Sequence, residues 1–328
     1  MLCILLVILA VRKVFSENCT SCISKNQVFC FSQERCGWLL CPAWTDKLLN
    51  CPDERENVAE YNETFVREIM LVTSAAASAE DPQKCFDNAL PTMKLVNRYE
   101  AQCSDLAKCT AYISLDNSNS AINLAFRGTQ GDVQLVEQAL SYVKGNRAFF
   151  QSGKIYNYFY EAFIYLWTSG IERDLLPLLD KYPDYEVWIN GHSLGGAIAS
   201  VCAAYLVQID LVRPQNIRLV TFGQPRTGDY EFATWIDSRL PYTFRIVNQR
   251  DPVPQLPPKL GLVQMFHFRT EVWYKTSNDF EICSQADGPF CSASQIFTTW
   301  SDHSTYFSIN IGKWAQDECK KWNFESIF

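Results

Sequence analysis

A chain of 328 residues that is 48% hydrophobic and 20% charged holds enough apolar material for one large domain or two medium ones, and bulk disorder is excluded. The formal net charge of −7 argues against a nucleic-acid partner, whose phosphates demand a basic face. Fourteen cysteines point to an oxidising compartment, and only three histidines, His192, His267 and His303, are available for histidine chemistry.

In chain order, Leu2 to Val11 is an unbroken apolar run of ten residues. It is too short to span a bilayer and suits the h-region of a signal peptide over residues 1–16. Arg12 and Lys13 follow the run, which is atypical, and the rival reading is a membrane anchor with both on its cytoplasmic side. No later run approaches spanning length, so the expectation is a secreted, extracellular protein with no transmembrane segment in the mature chain. Two glycosylation sequons, at Asn18 and Asn62, agree with this. Asn18 is the poorer acceptor, because it lies beside the new amino terminus and beside Cys19.

Cleavage removes Cys3 and leaves an odd number of cysteines. Cys202 is the expected unpaired one, a small buried hydrophobe in the Ala-rich run from Ala197 to Ala204. Cys19, Cys22, Cys30, Cys36, Cys41 and Cys51 crowd a stretch too short to bury much core. That stretch, residues 17–55, reads as a small disulfide-rich module whose connectivity the sequence leaves open. The spacing Cys19-x2-Cys22 also fits a structural zinc site, but an oxidising compartment and the lack of a nearby histidine argue against it, and no metal is expected. The other six cysteines fall at the two ends of a main domain over residues 56–328. Cys103 with Cys109 and Cys283 with Cys291 would close short loops, and Cys85 with Cys319 would tie the start of the domain to its end.

Within the main domain a helical pattern begins near Thr64. Strands follow at 112–114 and 121–126 around the turn Asp116-Asn117-Ser118-Asn119. A long amphipathic helix is predicted over 155–179, a buried strand over 185–190 and a helix over 194–211. Further strands are predicted over 217–222, 242–248 and 265–274, with a helix at 230–238 and a last one from Ser301 to Trp314. Strands alternating with helices predict an α/β fold around a mainly parallel sheet.

The sharpest motif is Gly191-His192-Ser193-Leu194-Gly195-Gly196, a G-x-S-x-G pattern between a predicted strand and a predicted helix. A strand that turns at once into a helix strains the serine backbone, and glycines two before and two after it remove side chains that would clash. The hydroxyl then projects above the sheet, with the helix amino terminus aimed at a developing oxyanion. A serine needs a base, and the chain order on such folds is serine, acid, histidine. Asp251 directly follows a strand, and Pro252 and Pro254 end regular structure there, which makes it the best acid. His192 sits inside the elbow, shapes it, and cannot fold back as the base. Between the other two, His303 lies at a helix start after a loop and His267 lies in an alternating, strand-like run. Asp302 is read as a helix cap.

These residues carry a resemblance. Ala125-Phe126-Arg127-Gly128-Thr129, the elbow, Phe222-Gly223-Gln224-Pro225-Arg226 with Gly228, His267 with Glu271-Val272-Trp273-Tyr274, and Asp302-His303-x-x-Tyr306-Phe307 resemble the landmarks of the class 3 (fungal-type) lipases of the α/β-hydrolase fold, from about residue 60 onward. The amino-terminal Cys-rich module resembles that of secreted invertebrate members. The resemblance implies Ser193 as nucleophile, Asp251 as triad acid and His303 as base, with His267 a supporting residue near the site. It implies an oxyanion hole from Leu194 and Thr129, agrees with the three late cysteine pairs, and implies a lid over Gln130 to Val143. Val133, Val136, Leu140 and Val143 recur there at helical spacing, although the aromatic anchor usual in fungal lids is missing between Gln130 and Ser141.

The implied reaction is ester hydrolysis through an acyl-enzyme without a metal or organic cofactor, on a lipid ester at the lipid–water interface, with triacylglycerol as the leading substrate. Phospholipase A1, mono- or diacylglycerol lipase and other carboxylesterases share the fold and stay open. A non-catalytic lipid-binding protein is the reading from another class, and retention of all three triad residues weighs against it. The Cys-rich module would brace the amino terminus or bind an unknown partner.

Overall fold

The computed structural model describes residues 18–37, 41, 43–53, 59–104, 107–128, 145–258 and 264–320. Two compact units divide the chain at residues 1–54 and 55–328. The expected signal segment, Thr129 and the lid segment 130–143 lie outside the described residues.

The small unit is built on sulfur rather than on a core. A helix, Cys19–Ser24, starts where the Asn18 side chain accepts the Ser21 N–H at 2.7 Å. Three two-residue strands, Phe29–Cys30, Arg35–Cys36 and Trp44–Thr45, pair antiparallel. The bridges are Cys19–Cys51, Cys22–Cys36 and Cys30–Cys41. Among the described residues its buried cluster is Cys19, Cys22, Phe29 and Cys51, so the disulfides supply what so small a core lacks. Cys19 and Cys22 are bonded to different partners, so neither is a free thiolate for the zinc reading.

The large unit is organised by an eight-stranded sheet. Its strands are β1 (Met93–Ser104), β2 (Ala107–Asp116), β3 (Ala121–Phe126), β4 (Glu186–His192), β5 (Ile217–Phe222), β6 (Thr243–Asn248), β7 (Glu271–Tyr274) and β8 (Phe280–Cys283), lying side by side in chain order. Pairing is parallel from β3 through β7 and antiparallel at both edges. The central strands are buried on both faces, as in a covered parallel sheet; all six residues of β3 and of β6 are buried. Alternation sends Ala125 into one layer with Tyr112, Trp188, Phe222, Phe244, Tyr306 and Trp314. Phe126 points the other way, against Phe163 of helix α1 (Asn157–Leu166), which packs in turn on Tyr205 of helix α2 (Leu194–Gln208).

Register sets the position of the site. Phe126 lies opposite Gly191, His192 opposite Phe222, and Phe222 opposite Ile246. The carboxyl ends of β3 to β6 are therefore level, and the turns that leave them converge on one edge, where ligands bind in open α/β sheets.

Disulfides Cys85–Cys319, Cys103–Cys109 and Cys283–Cys291 brace this unit, and Cys202 is free and buried in α2. The first closes a span of 234 residues, which in the chain-entropy estimate constrains the unfolded state by about 5 kcal/mol. Burial pushes the Cys202 thiol pKa up, so it stays protonated and inert.

Three predicted elements differ from the fold. The helix over 155–179 begins at Asn157, turns through Trp167–Ile171 and resumes at Glu172–Lys181, with Gly170 at φ 143° making the break. The strand over 265–274 is two strands in different sheets. Met265–Phe266 pairs with Gly228–Asp229, and β7 joins the main sheet. Between them Arg245 takes the Phe268 carbonyl at 2.9 Å and Thr243 takes that of Arg269 at 2.9 Å, so side chains occupy acceptors a continuous ladder would use. The last helix is interrupted as well: α3 (Trp300–Ser304) ends in a tight hairpin, Thr305–Tyr306 with Ile309–Asn310, before a second helix, Ile311–Gln316.

Candidate active site

β4 passes into α2 through Ser193 alone. The serine is held at φ 58° and ψ −129°, a conformation that costs a non-glycine residue about 1–3 kcal/mol. It persists because both neighbours are fixed: Ser193 N–H donates to Phe222 O at 2.8 Å, and α2 is almost wholly buried. The turn also needs Gly195, since a Cβ there would lie 2.2 Å from the carbonyl oxygen of Phe126. Leu194 is the first helical residue, so its N–H has no intrahelical acceptor and is free for an anion beside Ser193.

The Ser193 hydroxyl lies 2.9 Å from His303 Nε2. His303 Nδ1 lies 2.9 and 3.0 Å from the two carboxylate oxygens of Asp251. All three residues are buried. Asp251 is fastened further by the Val253 N–H at 2.8 Å and by the Tyr306 hydroxyl, which donates to Oδ2 at 3.0 Å. A carboxylate that accepts several donors is fixed in direction, which lets it accept from His303 Nδ1–H and leave Nε2 bare toward the serine.

The remaining candidates surround this chain of hydrogen bonds. His192 Nε2 donates to the backbone carbonyl of His303 at 2.7 Å, and the two rings lie 4.6 Å apart. Burial pushes the His192 pKa down to about 3, with His303 as the second cause. A neutral His192 leaves its neighbour free to take a proton without like-charge repulsion. His267 stands apart from the serine. It lies in the break between the two short strands, and its Nε2 donates to Pro254 O at 2.8 Å. Arg226 braces the same loop by bonding Gln255 O and, at 2.8 Å, Pro257 O, while Asp287 neutralises it at 2.8 Å. Both therefore support the segment that follows Asp251.

Asp302 is not a helix cap. Thr299 caps α3 by accepting the Ser301 N–H. Asp302 instead accepts the Arg250 N–H at 3.1 Å and pairs with the Arg250 guanidinium at 3.5 Å. It thereby clamps the histidine's helix to the acid's loop, and Thr299 N–H to Arg250 O at 2.9 Å adds a second clasp.

The profile of the family described as "Lipase (class 3)" matches residues 123–261. A lipase of Caenorhabditis elegans is 30% identical over 299 residues, covering 80% of this chain and 83% of that protein. The chain belongs to the class 3 lipase family. A secreted mono- and diacylglycerol lipase of Penicillium cyclopium is 27% identical over 252 residues, 72% of this chain and 80% of that one. The structure of the Rhizomucor miehei triacylglyceride lipase superposes with a TM-score of 0.65 at 26% identity, covering 77% of this chain and 97% of that one. As a class 3 lipase the protein is a carboxylic ester hydrolase of α/β-hydrolase fold.

Two features of this class 3 lipase site went unassigned in the sequence. Gly223, at φ 58°, lies so close to the acid–base contact that a Cβ would sit 2.6 Å from Asp251 Oδ2 and 2.9 Å from His303 Nδ1. Tyr306 reaches the acid because Phe307 and Ser308 adopt left-handed turns at φ 53° and 65°. The signals were present, a glycine directly after a buried strand and a tyrosine three residues past the histidine, but neither spacing names a partner. A cavity of about 200 Å³ beside His267, Glu271 and Gln285 includes none of Ser193, Asp251 or His303 in its lining.

Two imidazoles, buried His267 and half-buried His192, make stability pH-dependent. His192 is held near 3, and burial, with Arg245 second, keeps His267 well below its ordinary range. In the unfolded chain each titrates near about 6.5. Below that pH the unfolded state binds protons that the folded state refuses. The contribution is thus complete above about pH 6.5 and is lost as pH falls below it, for His192 down to about 3. For the pair the expected slope is up to about 2.7 kcal/mol per pH unit. Denaturant unfolding at pH 7 and pH 5 measures it, and equal stabilities at the two values would contradict it.

Proposed function

We propose that Ser193 is the nucleophile, His303 the general base and Asp251 the orienting acid in hydrolysis of triacylglycerol at a lipid–water interface. The observation that carries the reading is the unbroken hydrogen-bond chain from Ser193 Oγ through His303 to buried Asp251, mounted on a strand-to-helix elbow. As Oγ attacks the ester carbonyl, His303 Nε2 takes its proton, and Asp251 stabilises the imidazolium. The oxyanion is held by the Leu194 N–H and by Thr129, which can give both its N–H and its hydroxyl. His303 then passes the proton to the leaving alcohol oxygen, and an acyl-serine remains. Water attacks that ester with His303 as base, the proton returns to Ser193, and the fatty acid leaves. No metal or organic cofactor enters these steps.

The substrate class is supported by the triacylglyceride lipase among the structural relatives. The mono- and diacylglycerol lipase among the sequence relatives supports a second reading, partial glycerides. The 130–143 segment is proposed as the lid. Six disulfides and a relative named as secreted support an extracellular protein, with Asn62 and, less favourably placed, Asn18 as glycan acceptors. The proposed domain plan is a signal peptide over 1–16, the Cys-rich module over 17–55 and the lipase domain from 56.

The secreted protein, assayed on triolein, diolein, phosphatidylcholine and a short soluble ester, should hydrolyse triolein at least about tenfold faster than phosphatidylcholine. Faster phospholipid cleavage refutes the substrate assignment, and turnover of diolein alone favours the second reading.

A further inference from the structure

Ile296 is 88% exposed and Phe297 81%, the most exposed large apolar side chains among the described residues, and Phe290 on the same segment is 47% exposed. Adjacent bare Ile and Phe side chains forfeit burial worth roughly 1.5–3 kcal/mol each, so such a pair marks a surface that is covered in use.

The segment that carries them is held at both ends. Cys291 is bonded to Cys283, the Ser292 N–H donates to Glu271 at 3.1 Å, and the Gln295 N–H donates to Ser292 O at 3.1 Å. On the other side the Thr299 N–H donates to Arg250 O at 2.9 Å, one residue from Asp251. Ile296 and Phe297 thus cap a fastened loop. Three extended steps and three helical rises separate Phe297 from His303, which limits their Cα separation to about 15 Å.

The chemistry of the occupant follows from what the segment lacks. Residues 288–301 contain no charged side chain, in a chain that is 20% charged with a net charge of −7. Such a surface gains nothing from anionic headgroups and pays no desolvation penalty for ions when it enters oil.

We infer that Ile296 and Phe297 form a fixed anchor that inserts into neutral lipid and holds the His303 side of the site against the droplet. This rests on the triacylglycerol reading and names the part of the chain that contacts the surface. It also supplies the aromatic group that the 130–143 segment lacks between Gln130 and Ser141.

The test separates binding from chemistry. Droplet binding is measured by flotation with triolein emulsions, using the full chain carrying Ser193→Ala, with and without Ile296→Ser and Phe297→Ser. Esterase activity on soluble p-nitrophenyl acetate is measured with Ser193 intact. The double substitution should lower partition onto droplets at least about tenfold, independently of salt, while soluble-ester kcat/KM stays within about twofold. Unchanged partition overturns the inference. Equal losses in both assays also overturn it, because the residues would then be shaping the site. If droplet binding persists while a dimer becomes a monomer on sedimentation, the patch covers a second copy of the chain instead. A parent protein inactive on the soluble ester refutes the hydrolase roles but leaves the flotation result standing.

Discussion

Ser193→Ala is expected to lower kcat on any ester by about 10⁵-fold or more, because a lone triad serine carries nearly the whole covalent route. The fold should survive, since alanine keeps the Cβ and only the bond to His303 is lost. A sharper result concerns Ser193→Gly. It should be equally inactive and yet more stable than the alanine variant by about 1 kcal/mol, because φ 58° with ψ −129° is expensive for any residue bearing a Cβ. Kinetics on a soluble ester and thermal unfolding of the two variants check both parts. Substantial esterase activity in either would remove Ser193 from the mechanism. Equal stability would show that the elbow strain is dispersed into its surroundings.

Asp251→Asn should reduce kcat by about 10⁴-fold with a much smaller effect on KM. The amide can no longer hold His303 with Nδ1 protonated and Nε2 bare toward the serine, so the base is lost although the ring stays in place. This variant should also be less stable by about 1–3 kcal/mol. In the parent, the Val253 N–H, the Tyr306 hydroxyl and His303 Nδ1 all donate to one carboxylate. An amide offers a single acceptor oxygen, so a buried donor is left facing an NH₂ group. A variant that loses activity without losing stability would place Asp251 on the reaction path but deny it this structural role.

The parts of the fold that could be read from the residues are those where local pattern and final environment agree. β5 is buried at every residue but Arg218, with apolar Ile217, Leu219, Val220 and Phe222, and spans the residues the pattern predicts, Ile217 to Phe222. The elbow could be read because its glycines answer a local need. Where long-range contacts decide, the pattern falls silent. β1 runs twelve residues along the sheet edge, yet its polar side chains, such as Asn97 and Glu100, mask any strand signal. The alternation through His267 is that of a strand, but Arg245 and Thr243, distant in sequence, claim the carbonyls and split it. Asp302 looks like a cap until Arg250 is brought beside it by β6. The acid–base pair shows both regimes. Asp251 and His303 are nameable from chain order and family likeness, whereas the Tyr306 hydroxyl that helps hold Asp251 comes from a hairpin 55 residues away.

The Cys85–Cys319 bridge has a consequence for synthesis. Cys319 follows every strand of the sheet, so its thiol leaves the ribosome after β1 through β8 have all been made. Cys85 must therefore wait, reduced or transiently mispaired, while Cys103 and Cys109, six residues apart, find each other at once. The three bonds of the large unit form on very different clocks, and the slowest closes only on a chain whose sheet is already complete. That last bond therefore joins the two ends of the large unit only after everything between them has been synthesised. Oxidative folding of the reduced, denatured chain should be slowest at this step, read as the last disulfide to appear on quenched samples.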